Sequence, residues 1–439
     1  MTPARSALGA KARLAMLVGK AAAASSRAAR LGAGANLAGH VAARLAPGLL
    51  GTLAADRRVV VVSGTNGKTT TTRMLAVALQ TAGPVLTNGD GSNLARGILG
   101  CLMTDPSRRL TRCVFEVDEL ALDEVARAVH PELFVLCNLS RDQLDRMTEV
   151  RVLVRRWQQV LRRAAAEADE TGRPPPTVVA NADDPMVASA VVTGPSNEPV
   201  LPVIWVSAGQ PWIADASSCP RCSAHWVFRV RYACDTCGFA RPEPAWQLAE
   251  DVLQGPDGLE HDAKLSLPGR ANRANALMAV AAAAQLGVPP EAALSPIRAI
   301  EAVGGRYAMV QVHGVAVRLL LAKNPAGWKE MLAPDMVASP SGELAPLVLA
   351  LNAGGPDGKD TSWIWDVPFD QLKGRAVYAS GERAEDLAVR LRYAGIDHAM
   401  TRDPLQAVTL LAAAASAQRV DVVANYTAFT SICSRVGVA

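Results

Sequence analysis

The sequence predicts an α/β protein: a mostly parallel sheet with helices on both faces, a small inserted module, and a second, smaller α/β unit behind it. Three observations predict this. Apolar runs alternate with helical stretches from residue 57 to about 185, the pattern of a parallel sheet covered on both sides. Two Cys-x-x-Cys pairs interrupt the rhythm between residues 212 and 242. The alternation then restarts after residue 305 and continues to the end of the chain.

The elements follow in order. The first 55 residues interleave Lys11, Arg13, Lys20, Arg27 and Arg30 with Ala and Leu, which predicts an amphipathic helix. It lacks the uninterrupted apolar stretch of a signal peptide. Two readings stay open for it: a helix packed on its own protein, and a helix resting on a membrane surface. Residues 57–63 read as a strand, followed by a turn and a helix from Lys68 to about Thr81. Further apolar runs, Cys113–Glu119, Leu133–Ser140 and Pro176–Pro185, alternate with helical stretches such as 150–168. A helix over 272–288 closes the first unit at Gly287, and the boundary falls near Gly304 and Gly305. The division expected is a helical segment over 1–55, a central domain over 56–304 and a C-terminal domain over 305–439.

Composition narrows the class. Half of the 439 residues are hydrophobic and 20% are charged, which suits a globular chain rather than a disordered one. The formal charge of +4 is small for this length, and its Arg-rich patches are dispersed, so nucleic acid is not an indicated partner. No run of about 18 uncharged apolar residues is present, so no membrane span is predicted.

The chemistry begins at Ser63–Gly64–Thr65–Asn66–Gly67–Lys68–Thr69–Thr70. A strand that feeds a glycine turn into a helix aims free backbone N–H groups and the positive helix end at an anion. Gly64 and Gly67 lack the Cβ atoms that would block a phosphate, Lys68 supplies charge for the β and γ phosphates, and the Thr69 hydroxyl can ligate Mg²⁺. The spacing is not the usual one, because the common signature would put glycine where Val62 stands.

The short loop resembles that of the Mur ligase superfamily, which carries a compact Gly-Thr-x-Gly-Lys-Thr-Thr sequence. Four further stretches match in order: Phe115–Glu119, Asn181–Pro185, the helix sequence from Pro268 to Ala282, and Ala322–Gly327. The resemblance implies a Mur ligase central ATP-binding domain. It assigns Glu116 to a second Mg²⁺, Asn272 and Arg306 to the nucleotide, and the loop residues Gly64 to Thr70 to the phosphates. Three familiar histidine positions are changed: Gln143, Ala271 and Lys323 stand there. No family-type domain for a UDP-linked precursor fits into the first 55 residues.

These departures are similar to one branch of the superfamily, the ligase-like subunits that amidate lipid II. That likeness implies the α-carboxylate of D-glutamate in the lipid II stem as acceptor. It also implies ammonia as nucleophile, delivered by a class I glutamine amidotransferase of the GatD type in a heterodimer. The expected location is cytoplasmic, at the inner face of the membrane. By motif the likeness carries an essential acid onto Asp357, which the residues themselves also offer alongside Asp360 and Asp366 in a loop after an apolar strand. A turn-forming Asp-Gly in a solvated loop is the bland alternative. The last domain is the expected docking surface for the amidotransferase.

Cys219, Cys222, Cys234 and Cys237 form two knuckles separated by eleven residues, a pattern that suits a structural S₄ zinc site. Redox disulfides and an iron site are the alternatives. Four protein ligands leave no open position for catalysis. Cys101, Cys113, Cys137 and Cys433 lie in apolar surroundings and read as core thiols. Two rival functions remain: an amino-acid-adding ligase of the folylpolyglutamate type, and a non-catalytic ATP-binding scaffold.

Overall fold

In a computed structural model, the residues described are 8–28, 35–89, 92–141, 149–193, 197–209, 216–226, 231–267, 269–300, 307–333, 344–415 and 417–437. Gln143, Gly304, Gly305 and Arg306 lie outside them.

A run of four valines makes β1 (Arg58–Ser63) a strand buried from Val59 onward, as the interior of a parallel sheet requires. Around it the first sheet contains β2 (Val85–Thr87), β3 (Arg112–Glu116), β4 (Leu133–Leu136), β5 (Thr177–Asn181), β6 (Val203–Ser207), β7 (Trp246–Ala249), β8 (Val252–Gln254) and β9 (Glu260–Asp262). Their order is β2-β3-β1-β4-β5-β6-β7-β8-β9. Pairs from β2 to β7 are parallel, and β7-β8-β9 is an antiparallel meander. The mostly parallel sheet is the one expected. The meander was not, because its strands of three or four residues are half exposed and give no continuous apolar run.

The N-terminal segment holds three helices rather than one: Ala10–Ala28, Ala35–Leu45 and Leu49–Ala54. Glycines allow them to pack closely. A Cβ on Gly39 would overlap the backbone of Arg96, in the helix Ala95–Leu102, and a Cβ on Gly19 would meet the Ala38 carbonyl at 2.7 Å. Ala15, Met16 and Ala23 of the first helix are buried, so one face of it packs on its own protein.

The chain divides into two compact units. The first comprises residues 1–139, 151–264 and 273–299, and the second comprises 140–150, 265–272 and 300–439. The second unit has its own six-stranded sheet: β10 (Tyr307–Val312), β11 (Val315–Leu321), β12 (Leu347–Ala350), β13 (Val377–Ser380), β14 (His398–Met400) and β15 (Arg419–Ala424). The order is β10-β11-β15-β12-β13-β14, parallel except for the β10–β11 hairpin. Both faces are buried. Leu347 and Leu349 of β12 face a core containing Trp328, Trp363 and Phe369, while Val348 and Ala350 face Val408, Leu411 and Phe429. Near the start of β12, the buried Asp421 accepts two bonds from Arg318, at 2.9 and 2.7 Å, and one from Arg375 at 2.8 Å. Burial pulls Arg375 down to about 10, and the Asp421 carboxylate opposes that shift.

Candidate active site

β1 ends where the phosphate loop begins, and the helix Lys68–Gln80 starts directly after Gly67. Gly67 caps that helix in the left-handed region at φ 79°, a conformation that glycine adopts without strain. A Cβ there would overlap the Asn275 side chain. At Gly64, φ 149°, a Cβ would lie 3.0 Å from the Asn138 backbone and the Cys137 Cβ. Both glycines are therefore required by the close approach of Asn138, Cys137 and Asn275 to the loop.

Asn138, one of the residues following β4, holds the loop in shape. The Thr65 N–H donates to the Asn138 carbonyl and the Asn66 N–H to its Oδ1, both at 2.9 Å. The Asn138 Nδ2 donates to the Asn66 carbonyl at 2.8 Å. Asn138 is nearly invisible in the sequence, because one Asn at the end of an apolar run says nothing about the loop it will meet 72 residues back.

Lys68 is only 4% exposed, and its ammonium donates to Glu119 at 2.8 Å and to the carbonyls of Gly64 and Thr65. Burial by itself would lower its pKa, but the Glu119 carboxylate, with Glu116 and Asp118 nearby, outweighs burial and raises it. Lys68 is thus a fixed cation at the loop. Glu119 lies within the acidic stretch read from the sequence but carried no role there.

Glu116 closes β3 beside the loop because Val62 and Glu116 are register partners across the β1–β3 pair. Its carboxylate accepts from Asn93 at 3.2 Å. Its backbone is held on both sides by Asn88, whose Oδ1 accepts from the Glu116 N–H at 2.9 Å and whose Nδ2 donates to the Glu116 carbonyl at 2.8 Å. Glu116, Lys68 and the loop are brought together in this unit, with Thr69 and Thr70 in the first turn of the helix. Asn272 lies on the helix Arg270–Gln285, one turn before Asn275.

The stretch Asn181–Pro185 works as scaffold. Asp184 caps the helix Pro185–Val191, accepting from Met186 and Val187, and its other oxygen accepts from Leu139 N–H at 2.7 Å. Asp183 accepts from Ser207 and from Arg241, the latter at 2.7 Å.

The four cysteines converge. Their sulfurs all lie within 4.8 Å of one another, with Cys219–Cys237 and Cys222–Cys234 each 3.6 Å apart. Tetrahedral zinc–thiolate bonding asks for sulfurs about 3.8 Å apart, so the set fits Zn²⁺. Each knuckle repeats the same turn. The Cys219 N–H donates to the Ala224 carbonyl and the Cys234 N–H to that of Phe239, both at 2.8 Å. Ser223 (φ 64°) and Gly238 (φ 71°) occupy equivalent left-handed positions. Trp226, Tyr232 and Phe239 stack behind the cysteines, and the Tyr232 hydroxyl donates to Ala182 at 2.9 Å, fastening the module to the end of β5. Of the other thiols, Cys113 and Cys137 are buried and pushed up to about 11 by that burial, while Cys101 and Cys433 are partly exposed.

In the second unit, three adjacent strands β11, β15 and β12 end together. Lys323 and Asn324 follow β11, Asn425 follows β15, and the Asp357 loop follows β12. Asp357 is 3% exposed, and its carboxylate accepts from Tyr426 N–H at 3.0 Å, from Thr427 N–H at 2.6 Å and from the Thr427 hydroxyl. It therefore orders the start of the helix Tyr426–Arg435. Asp360 instead accepts from the Ser362 N–H, and Asp366 pairs with Arg141 at 3.2 Å.

A short phosphate loop on a parallel sheet, with a second parallel α/β unit after it, is the arrangement expected of a ligase of the Mur type. Residues 62–217 match the Mur ligase middle domain, and residues 321–429 match the MurT ligase C-terminal domain. The chain is 31% identical to the lipid II isoglutaminyl synthase (glutamine-hydrolyzing) subunit MurT of Streptococcus pneumoniae, over 83% of each chain. It is 28% identical to the subunit of that name from Staphylococcus aureus strain COL, over 83% of this chain and 84% of the other. Solved structures share the fold. A pseudomurein peptide ligase type C from Methanothermus fervidus gives a TM-score of 0.63 at 19% identity, covering 87% of this chain and 79% of that one. MurF from Acinetobacter baumannii gives 0.62 at 16%, covering 92% and 79%. The chain belongs to the MurT family, and with it to the ATP-dependent Mur ligases.

Proposed function

We propose that the chain amidates the α-carboxylate of D-glutamate in the lipid II stem peptide, giving D-isoglutamine. The observation that supports this most is the pairing, on one chain, of an intact phosphate loop with a C-terminal domain of the MurT type. The lipid II carboxylate attacks the γ-phosphoryl group of ATP, releasing ADP as the bond to the bridging oxygen breaks, and ammonia displaces phosphate from the resulting acyl phosphate.

The chain's own residues divide the work. The amides of Gly67 to Thr70 at the helix start cradle the phosphates while those of Thr65 and Asn66 are held by Asn138, and Lys68, charged and immobilised by Glu119, stabilises the charge of the transferring phosphoryl. Thr69 and Glu116 would hold Mg²⁺, which neutralises phosphate charge when bound. Asn272 and Arg306 are assigned to the nucleotide. A carboxylate has about four acceptor sites, and three donors reach Asp357, so it retains capacity for one more. Asp357 uses that capacity to bind and orient ammonium and then takes its proton. Cys219, Cys222, Cys234 and Cys237 hold a structural Zn²⁺. The central work falls to residues 56–304, and residues 305–439 bind the partner. Ammonia comes from a class I glutamine amidotransferase subunit, GatD, and the reaction takes place at the inner membrane surface.

The test supplies lipid II with ATP and either ammonium or glutamine, with and without the amidotransferase, and reads the product by mass spectrometry. Ammonium supports amidation by the chain alone, whereas glutamine supports it only with the partner present. Glutamine use by the purified chain alone, or glutamate addition to folate in place of lipid II amidation, contradicts the reading.

A further inference from the structure

The helix Ala10–Ala28 has two apolar faces. One, through Ala15, Met16, Gly19 and Ala23, is buried in its own unit. The other is not covered: Leu14, Leu17 and Val18 are 59%, 67% and 41% exposed. At 100° per residue the exposed stripe lies opposite the buried one. Between the two faces stand cations, Lys11 along one flank and Arg13 with Lys20 along the other, all exposed. No acidic residue occurs on this helix.

The charge is segregated well beyond the helix. Residues 1–55 contain seven Lys and Arg and no Asp or Glu, so the rest of the chain carries 38 basic against 41 acidic residues. An acid-free basic segment on an otherwise slightly acidic protein calls for an anionic counterpart. Three large apolar side chains, held out in water between flanking cations, match the geometry of a helix that lies in the plane of a bilayer. A transmembrane role is not the reading, because no described helix is long and apolar enough to cross.

We propose that the outer face of this helix rests on an anionic lipid bilayer, inserting Leu14, Leu17 and Val18 between headgroups while Lys11, Arg13 and Lys20 pair with lipid phosphates. The buried face stays anchored to the protein, so the helix holds the first unit at the surface. The inference rests on the proposed function in one respect, that a lipid-linked substrate gives the surface a use.

The experiment floats the full chain with vesicles of pure phosphatidylcholine and of phosphatidylcholine containing phosphatidylglycerol. The wild-type chain binds the anionic vesicles at least about tenfold more tightly than the neutral ones, and added salt weakens the difference. Leu14→Glu with Leu17→Glu lowers anionic binding by about tenfold or more, as does Lys11→Ala with Arg13→Ala and Lys20→Ala. These side chains are exposed, and an unchanged circular dichroism spectrum checks that each variant is folded. Equal binding to both vesicle types, or variants that bind like the wild type, overturns the proposal. So does a wild-type chain that self-associates through this face, seen as a fall in native mass on Leu14→Glu with Leu17→Glu and no loss of vesicle binding. Amidation of detergent-solubilised lipid II is measured in parallel and is unchanged in the variants. Its absence in the wild type would count against the proposed function, whereas lost vesicle binding with amidation intact would count against this inference alone.

Discussion

At the scale of single residues, the site depends on side chains that serve the loop rather than touch a substrate. Asn138 gives three of its polar groups to Thr65 and Asn66, and Asn88 fixes the backbone of Glu116 from both directions. Asp357 raises a sharper question, because its carboxylate is also a helix cap. Two substitutions separate the roles. Asp357→Ala removes the cap and is expected to destabilise the second unit by about 1 kcal/mol. Asp357→Asn keeps one accepting oxygen, turns an NH₂ donor toward the other backbone N–H, and cannot take a proton from ammonium. Its thermal midpoint is therefore expected to fall, while amidation by the folded protein is abolished. Near-normal amidation by Asp357→Asn would leave Asp357 with a capping role only.

At the scale of elements, the parts that hold a long apolar run were legible. The strands from β1 to β5, other than the three-residue β2, and the β11, β12, β13 and β15 runs all bury most of their residues, so their sequences read as continuous hydrophobic stretches. The glycine turn was legible too, since Gly64 and Gly67 are required by backbone geometry that few other residues accept. What was not legible depends on pairing. The placement of Glu116 beside the loop follows from β3 lying next to β1, and neither strand's sequence states its neighbour. Glu119 gains its role only once helix and strand have brought it to Lys68, 51 residues earlier in the chain. The cysteine module was legible by spacing alone, because two knuckles need no knowledge of the surrounding fold. It carries its own prediction. Metal removal by a strong chelator, or Cys222→Ser, is expected to loosen the Trp226–Tyr232–Phe239 stack and lower the thermal midpoint, since metal-binding energy in such a site is folding energy. One equivalent of bound zinc by elemental analysis is expected to accompany the stable form. A chain that carries no zinc at full stability would contradict the structural metal.

At the scale of the molecule, two parallel-sheet units each place candidate site residues at the carboxyl ends of their strands, where open α/β sheets bind ligands. In the first unit these are the phosphate loop after β1, Glu116 at the end of β3 and Asn138 after β4. In the second they are Lys323, Asp357 and Asn425. The first set has the residue types that phosphoryl transfer uses, and in the proposed reaction the second supplies the carboxylate that accepts a proton from ammonium. A ligase that forms an amide through an activated carboxylate needs both. In the proposed reaction, ATP activates the lipid II carboxylate by phosphorylation before nitrogen arrives. Label the α-carboxylate of the stem D-glutamate with heavy oxygen, run the reaction with ATP and ammonium, and analyse the released inorganic phosphate by mass spectrometry. Each amide formed is predicted to place one labelled oxygen in phosphate, and Lys68→Ala to abolish both amide and labelled phosphate. Amide formation with unlabelled phosphate would rule out activation of the carboxylate by phosphorylation.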